Sequence, residues 1–453
     1  MVEDRQPPQD LELETVVLGS IISSGDALLD VIDILDEDCF YNPKFIVIFQ
    51  SIVTLYNKNE KIDILTLTNE LLKSKNLEKV GGAYEVSILQ DRIGSSVNLR
   101  AHSLILKELS IKRNLIKLGA ELHAKAYKPE VDALELLEET TSNIDKIGLK
   151  VASQPFTKMD QIVRDNMKEI ELVSLSDSDL TGVPSGFTDL DHITCGWQKS
   201  DLIIIAARPG MGKTTLALNI VEYAAIEMNQ KVAFFSLEMS EIQLGKKSMA
   251  SRSGIDLKKL KTGDMDSGDW DTLNKSLPPL MDANIYVDDQ AAISVFKMKT
   301  KLRRLKHDNP DLGLVVIDYL QLMNGKDKGS SGQNREQEIS FISRNLKGMA
   351  KELNLPIIAL SQLSRGVESR PDKIPQLSDL RESGAIEQDA DMVMFIYRPE
   401  YYDILEDSEG NSLEGKALVM VKKNRNGELG DVKLQFDGAK SKFSNLEYYN
   451  PAF

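Results

Sequence analysis

Apolar residues over the first 150 positions recur at helical spacing. Leu11, Leu13, Val16, Val17 and Ile21 make one stripe, Phe45, Ile48, Phe49, Ile52, Val53 and Tyr56 a second, and Leu104, Ile105, Leu109 and Ile111 a third. Gly81, Gly82 and Gly94 interrupt the pattern and no strand-like alternation intervenes, so an all-helical module is predicted. Stripes of this kind mostly form core, and no residue in the module suggests chemistry, which leaves assembly or partner docking as its role. After a break at Val151-Ala152-Ser153-Gln154-Pro155, Phe156, Met159, Ile162, Val163, Met167, Ile170 and Val173 again take helical spacing, ended by the polar tract from Ser174 to Asp179. A helix bounded by flexible sequence can pack its apolar face on its own domain or on a neighbouring subunit, and the second is expected.

From Gly182 onward the pattern changes to short apolar runs separated by amphipathic stretches. Strands are predicted at Leu202 to Ala206, Val232 to Leu237, Leu314 to Ile317, Pro356 to Ser361, Met392 to Tyr397, Ala417 to Val421 and Val432 to Phe436. Helices fall between most of the first five, which predicts a mostly parallel sheet flanked by helices. The last two, joined through Asn426-Gly427, read as an appended antiparallel hairpin. Ligands in such sheets bind beyond the carboxyl ends of the strands, so those ends are where chemistry is sought.

Composition narrows the class without deciding it. The chain has 453 residues, 42% hydrophobic and 28% charged, which suits two or three soluble domains. No run approaches the roughly 18 apolar residues of a membrane span, and the N-terminus lacks the basic and apolar regions of a signal peptide. Cys39 and Cys195 lie far apart and suggest no disulfide framework, so a cytoplasmic protein is expected. His192 near Cys195 is half of a metal site at most, and no protein-ligated zinc is expected. A net charge of −15 argues against a generally basic nucleic-acid coat but leaves room for a ring with a basic channel.

The chemistry is centred on Arg208-Pro209-Gly210-Met211-Gly212-Lys213-Thr214-Thr215, directly behind the apolar run Leu202 to Ile205. A buried strand that breaks at Pro and Gly and re-enters as a helix aims several backbone N–H groups and a helix N-terminus at one spot, which binds phosphate. Gly212 lets the backbone approach the anion, Lys213 reaches its outer charge, and the Thr214 hydroxyl can hold Mg²⁺. Ala207 stands where the general pattern has Gly. Asp318, closing the run Leu314 to Ile317, is placed to support that metal. Glu238, closing Val232 to Leu237, is a candidate base toward the water that attacks a γ-phosphate. Gln362 ends another strand as a γ-phosphate sensor, and the loop Ser364 to Asp379 leads on to Arg381, Glu382 and Gly384 as a ligand-holding segment. The insert Asn324 to Asn334 is a second candidate. Lys423 and Arg425 sit on the terminal hairpin, from which Arg425 could reach a neighbour's γ-phosphate as an arginine finger.

Together these residues resemble the DnaB family of bacterial replicative helicases. The resemblance is carried by Gly182 to Asp191, Ala207 to Thr214, Phe235-Ser236-Leu237-Glu238-Met239, Val316 to Leu322, Leu360 to Arg365, Asp379 to Asp391 and Lys423-Asn424-Arg425-Asn426-Gly427, with Pro7 to Asp10 and Val17 to Ser20 matching the family's opening. Ala207 follows the family's own version of the loop; Cys195 where the family often has Gly, and Lys199-Ser200 where Pro-Gly is usual, are local departures. The resemblance implies an α/β RecA-like P-loop motor domain over 182–453, an all-α N-terminal collar over 1–150 that docks primase, and a linker with a subunit-gripping helix over 151–181. It also implies a homohexameric ring that uses ATP and Mg²⁺ to move 5′ to 3′ on single-stranded DNA and unwind the fork, with a helicase loader and a clamp-loader subunit as further partners. Carried over, Lys213 and Thr214 bind phosphate and Mg²⁺, Glu238 is the general base, Asp318 supports the metal, Gln362 senses the γ-phosphate, Lys423 and Arg425 act in trans, and Arg381, Glu382 and Gly384 track the DNA backbone. The alternatives are a strand-exchange ATPase of the same sheet class and a ring scaffold that uses nucleotide only to assemble.

Overall fold

The computed structural model describes residues 6–91, 98–151, 158–174, 180–323, 335–407 and 409–446, with Arg381 to Gly384 described in backbone alone. The chain divides into two compact units, Met1–Met159 and Asp160–Phe453.

The first unit is helical throughout its described residues, in helices Leu11–Ser23, Pro43–Asn57, Ile64–Lys73, Gly82–Asp91, Leu99–Ala126 and Ala133–Val151. Their starts are written locally. Asp10 accepts from the Leu13 amide, Asn42 precedes Pro43 and accepts from the Lys44 amide, and Asp63 forms a capping box with Thr66. The first two predicted stripes meet in a core that includes Val17, Ile21, Ile48, Phe49 and Ile52, with Leu18 beside them. The third does not face it as expected, because Leu104 and Ile105 are exposed while the helix buries Leu106 and packs Leu109 against the core. Glu14 is fully buried there, accepting from the Tyr41 and Asn42 amides.

The helix Met159–Ser174, which belongs to the second unit from Asp160 onward, has Met159, Ile162, Val163, Met167 and Ile170 exposed. Beyond it lies one nine-stranded sheet in the order β3-β2-β4-β5-β1-β6-β7-β8-β9. The strands are β1 Leu202–Ala207, β2 Lys231–Ser236, β3 Ile285–Asp288, β4 Leu312–Asp318, β5 Ile357–Gln362, β6 Met392–Tyr397, β7 Lys416–Asn424, β8 Gly430–Asp437 and β9 Lys442–Asn445. From β3 to β6 all pairings are parallel, and from β6 to β9 all are antiparallel. Two strands not expected from the apolar pattern, β3 and β9, extend the sheet at its margins. Both faces of β1 are covered, Leu202, Ile204 and Ala206 facing one core and Ile203, Ile205 and Ala207 the other. This is why the strand reads as a continuous apolar run.

Cys195 and Ser200 have φ of +54° and +67°. Both hold left-handed backbone that glycine adopts without penalty, and Cys195 caps the helix Thr188–Thr194 in that conformation.

Candidate active site

At the carboxyl end of β1 the chain turns through Arg208 to Gly212 into the helix Lys213–Glu222. Gly210 and Gly212 take φ of +81° and +94°. A Cβ at Gly212 would meet the rings of Phe443 and Phe436 at 3.0 and 3.1 Å, and one at Gly210 the ring of Tyr401 at 2.8 Å. The glycines are therefore required by left-handed backbone and by aromatic packing behind the loop, a constraint additional to the anion approach expected from the sequence.

The parallel register brings the other strand ends to the same place. Ser236 on β2 pairs with Asp318 on β4, and the Leu237 amide donates to the Asp318 carbonyl at 2.6 Å. Glu238 is thereby held beside Asp318, exposed, in a turn closed by the Ser236 hydroxyl donating to the Met239 carbonyl at 2.6 Å. Asp318 is fully buried and its Oδ2 accepts from the Thr214 hydroxyl at 2.6 Å, while Oδ1 is buried without a hydrogen-bond partner. Lys213 Nζ lies 4.3 Å from the centre of the Tyr319 ring. Burial pushes the Asp318 carboxyl above its ordinary range, against the Thr214 hydrogen bond and the Lys213 charge. Burial likewise holds Lys213 below the usual lysine range, opposed by Asp318 and Glu238. Two ionisable groups are thus held in a desolvated spot where an anion would relieve the lysine and a cation the aspartate.

The geometry fits a divalent cation. A hydroxyl has one proton and two acceptor lone pairs; Thr214 gives its proton to Asp318 and keeps its lone pairs, and Asp318 keeps an unpartnered oxygen. Such a pair can orient a metal's first and outer shells.

Arg208 is placed differently from what its position in the loop suggests. Its guanidinium is 9% exposed and engaged by Glu368 at 2.9 Å and by the Leu363 carbonyl at 2.8 Å. Its side chain is spent on the loop after β5. Gln362 ends β5 exposed, with its amide donating to Gln321 Oε1 at 3.3 Å. Beyond it a cleft of about 440 Å³ is lined by Tyr319, Gln321, Arg335, Gln362, Ser364 and Arg365, among others. Arg381 and Glu382 lie in the 3-10 stretch Leu377–Ser383, and Gly384 opens the short helix Gly384–Asp389. Asn324 to Asn334 lies outside the described residues.

Lys423 and Arg425 stand at the other end of the sheet. Lys423 Nζ donates to the carbonyls of Glu387 and Ala390, and Arg425 to that of Gln388, all around the C-terminus of Gly384–Asp389, where cations are favoured. The Arg425 amide donates to the Asp391 carbonyl at 2.9 Å, and the Asp391 amide to that of Leu202, also at 2.9 Å. Leu202 is the first residue of β1, and the phosphate loop follows its last. At about 3.3 Å per residue, roughly 17 Å of buried strand separates the two.

Residues 182–445 match the model of the DnaB-like helicase C terminal domain and residues 6–108 that of the DnaB-like helicase N terminal domain. The replicative DNA helicase DnaB of Geobacillus stearothermophilus is 41% identical over 447 residues, spanning 99% of this chain and 97% of that one. The replicative DNA helicase DnaC of Bacillus subtilis is 40% identical over the same shares. The chain belongs to the DnaB-like replicative helicase family. Membership makes it a nucleotide-driven DNA helicase. A solved DnaB-like replicative helicase, described with its interactions with primase, is 33% identical, covers 97% of this chain and all of its own, and superposes with a TM-score of 0.75.

Two further residues stand beside the candidate site and were not read from the sequence. Lys247, on the helix Glu241–Ser253, is half-buried and feels Asp318 and Glu238, though burial holds it below the usual lysine range. Arg398 follows β6, stacks 3.9 Å over Phe436 and donates to the Gly210 carbonyl at 3.1 Å. A lone lysine in an amphipathic helix carries no signal of its own. The Tyr397-Arg398 strand end could have been found by asking what every strand end carries.

Proposed function

We propose that this helicase is a homohexameric ring that binds ATP between adjacent subunits and uses its hydrolysis to move 5′ to 3′ along single-stranded DNA, unwinding the fork. The observation that carries the shared site is the arrangement of one sheet: Lys213, Thr214, Asp318 and Glu238 at its carboxyl end, Arg425 at its amino end. Arg425 is too far from its own loop to serve it, and a head-to-tail neighbour brings the two together.

In this reading the amides of the loop from Arg208 to Thr215 and the N-terminus of its helix hold the phosphates, and Lys213 meets their outer charge. Mg²⁺ would be held by the Thr214 hydroxyl with Asp318 behind it, neutralising charge on the β- and γ-phosphate oxygens. Glu238, exposed and anchored beside Asp318, accepts a proton from the attacking water. Gln362 senses the γ-phosphate. Arg425 and Lys423 of the adjacent subunit stabilise charge that develops as the phosphoryl group leaves. Arg381, Glu382 and Gly384 follow the DNA backbone, so phosphates rather than bases are read.

The module 1–150 is proposed as the collar that docks primase, 151–181 as the linker whose exposed apolar helix grips the next subunit, and 182–453 as the motor. A helicase loader and a clamp-loader subunit are proposed as further partners, and the cytoplasm as the compartment. The test is a mass measurement with ATP, Mg²⁺ and single-stranded DNA alongside unwinding of a forked duplex. The expected result is a hexamer that unwinds from a 5′ tail and turns over faster with DNA, with affinity falling at a log–log salt slope of about −0.7 per phosphate contacted. Pairing of homologous strands without unwinding would favour a strand-exchange ATPase. Assembly without DNA-stimulated turnover would favour a scaffold.

A further inference from the structure

A single ion pair joins the phosphate loop to the loop that leads into the proposed DNA segment. Arg208 is the first residue after β1. Its Nε and Nη2 both lie 2.9 Å from Glu368 Oε1, and its Nη1 donates to the Leu363 carbonyl at 2.8 Å. The Leu363 amide in turn donates to the Ala207 carbonyl at 3.1 Å. The guanidinium is nine-tenths buried, and a buried charge that loses its partner is costly to leave. Glu368 is itself 44% exposed, so its loss leaves the buried guanidinium with the Leu363 carbonyl as its remaining acceptor.

The far side of the pair is stiff. Glu368 lies in the 3-10 turn Arg365–Ser369, pinned by the fully buried Val367. Arg370, two residues on, grips Asp379 through both carboxylate oxygens. The same Asp379 accepts from the Gln376 amide at 2.7 Å, and its carbonyl accepts from the Ser364 amide at 3.1 Å. The excursion from Ser364 to Asp379 is thereby closed on itself. The next residue, Leu380, is buried, and Arg381 follows it. Two ion pairs, Arg208–Glu368 and Arg370–Asp379, joined by the short backbone between Glu368 and Arg370, link the phosphate loop to Asp379, two residues before Arg381.

We propose that Glu368 is a positioning residue that couples nucleotide occupancy to DNA grip, through Arg208 on one side and the Arg370–Asp379 clasp on the other. It faces the guanidinium, not the phosphates. The inference rests on the reading of Arg381 to Gly384 as the DNA segment. Coupling is reciprocal: if the nucleotide state changes DNA affinity by some factor, DNA changes nucleotide affinity by the same factor, commonly 5- to 150-fold, or about 1–3 kcal/mol.

The experiment uses the full-length assembly with Glu368→Gln, Glu368→Ala and Glu368→Asp. Three quantities are read: ATP turnover and KM without DNA, the stimulation of turnover by an unstructured single strand, and the ratio of single-strand affinities with a non-hydrolysable ATP analogue and with ADP. Glu368→Gln keeps an acceptor for Arg208 but removes its charge. The expected result is DNA-free turnover and KM like wild type, with stimulation and affinity ratio both reduced about fivefold or more. Glu368→Ala is expected to lose more and Glu368→Asp to recover most of the loss. The proposal is overturned if stimulation and ratio are unchanged in both Gln and Ala variants, or if DNA-free turnover falls in step with them, as a merely structural role would require. A wild-type protein whose turnover DNA does not affect would instead sink the motor reading, and this coupling with it.

Discussion

The two ends of the central sheet are built to opposite standards. At the carboxyl end Thr214 and Asp318 are hydrogen-bonded, Lys213 lies over Tyr319, and burial strains the ionisation of both Lys213 and Asp318. At the amino end Lys423 and Arg425 rest on backbone carbonyls, with Arg425 half-exposed and 3.6 Å from Asp391. The first arrangement is costly until a ligand supplies counter-charge. The second is cheaper at Arg425, because an exposed cation contributes little to stability and loses little when it changes partner, whereas Lys423 is half-buried and burial holds it below the usual lysine range. In the proposed function the first end is the receptor and the second the donor.

The comparison breaks most decisively at Lys213. Lys213→Ala is expected to abolish ATP turnover, and residual hydrolysis at wild-type rates would mean that the receptor end has been misassigned. Arg425→Ala is next: nucleotide affinity near wild type, with turnover lowered on the order of a thousandfold, or about 4 kcal/mol of transition-state stabilisation. Mixing Lys213→Ala chains with Arg425→Ala chains rebuilds some sites in which each partner supplies what the other lacks. Recovery of turnover is the expected outcome, and a mixture as inactive as its components would show that the ends do not meet between subunits.

A smaller effect separates burial from function. Glu222, on the last turn of the phosphate-loop helix, is 7% exposed and hydrogen-bonded by Ser251 at 3.2 Å. Burial pushes its carboxyl from 4.5 up to about 7. The native state therefore holds a proton that the unfolded state releases first. Stabilisation present below the unfolded value is lost as pH rises through about 7, a change of about 3 kcal/mol. Urea denaturation at pH 5 and pH 8 should show that slope in wild type and lose most of it in Glu222→Gln, with turnover little altered; an unchanged slope would mean the carboxyl is not the source. The smallest expected effect is at Cys195, where Cys195→Gly should relieve left-handed backbone and raise stability by up to about 1 kcal/mol in the same assay, whereas a loss would show that its side chain outweighs the strain.

Much of this was legible before any coordinates. The β1 run, the loop from Arg208 to Thr215 and the strand ending in Asp318 are local patterns, and buried parallel strands announce themselves as apolar runs. Seven of the nine strands were found from the sequence, five of them parallel and two, β7 and β8, as the antiparallel hairpin. The missed β3, Ile285-Tyr286-Val287-Asp288, is short and largely exposed, and β9, Lys442-Phe443-Ser444-Asn445, buries only Phe443. Marginal strands lack the doubly buried stretch that makes a run visible. Candidate residues at strand ends, such as Glu238 and Gln362, were legible as positions, although Arg398 after β6 was passed over. The site was not legible where tertiary pairing decides, as with Arg208, whose partner lies 160 residues away and turns a phosphate-loop side chain toward another loop. Gly212 was read as making room for an anion, whereas the space beside its Cα is also claimed by Phe443 and Phe436.

The antiparallel turn of the sheet at β6 and β7 has a consequence for any ring made of this chain. Because the strand carrying Lys423 runs back against its neighbours, the proposed donor emerges on the side opposite the proposed receptor, and a contact between copies made through them is directional. Under the proposed shared site, a closed circle has as many complete pockets as members. A circle parted at one seam to admit a strand of DNA forfeits one pocket, and threading the ring is paid for in catalytic capacity until the seam closes again.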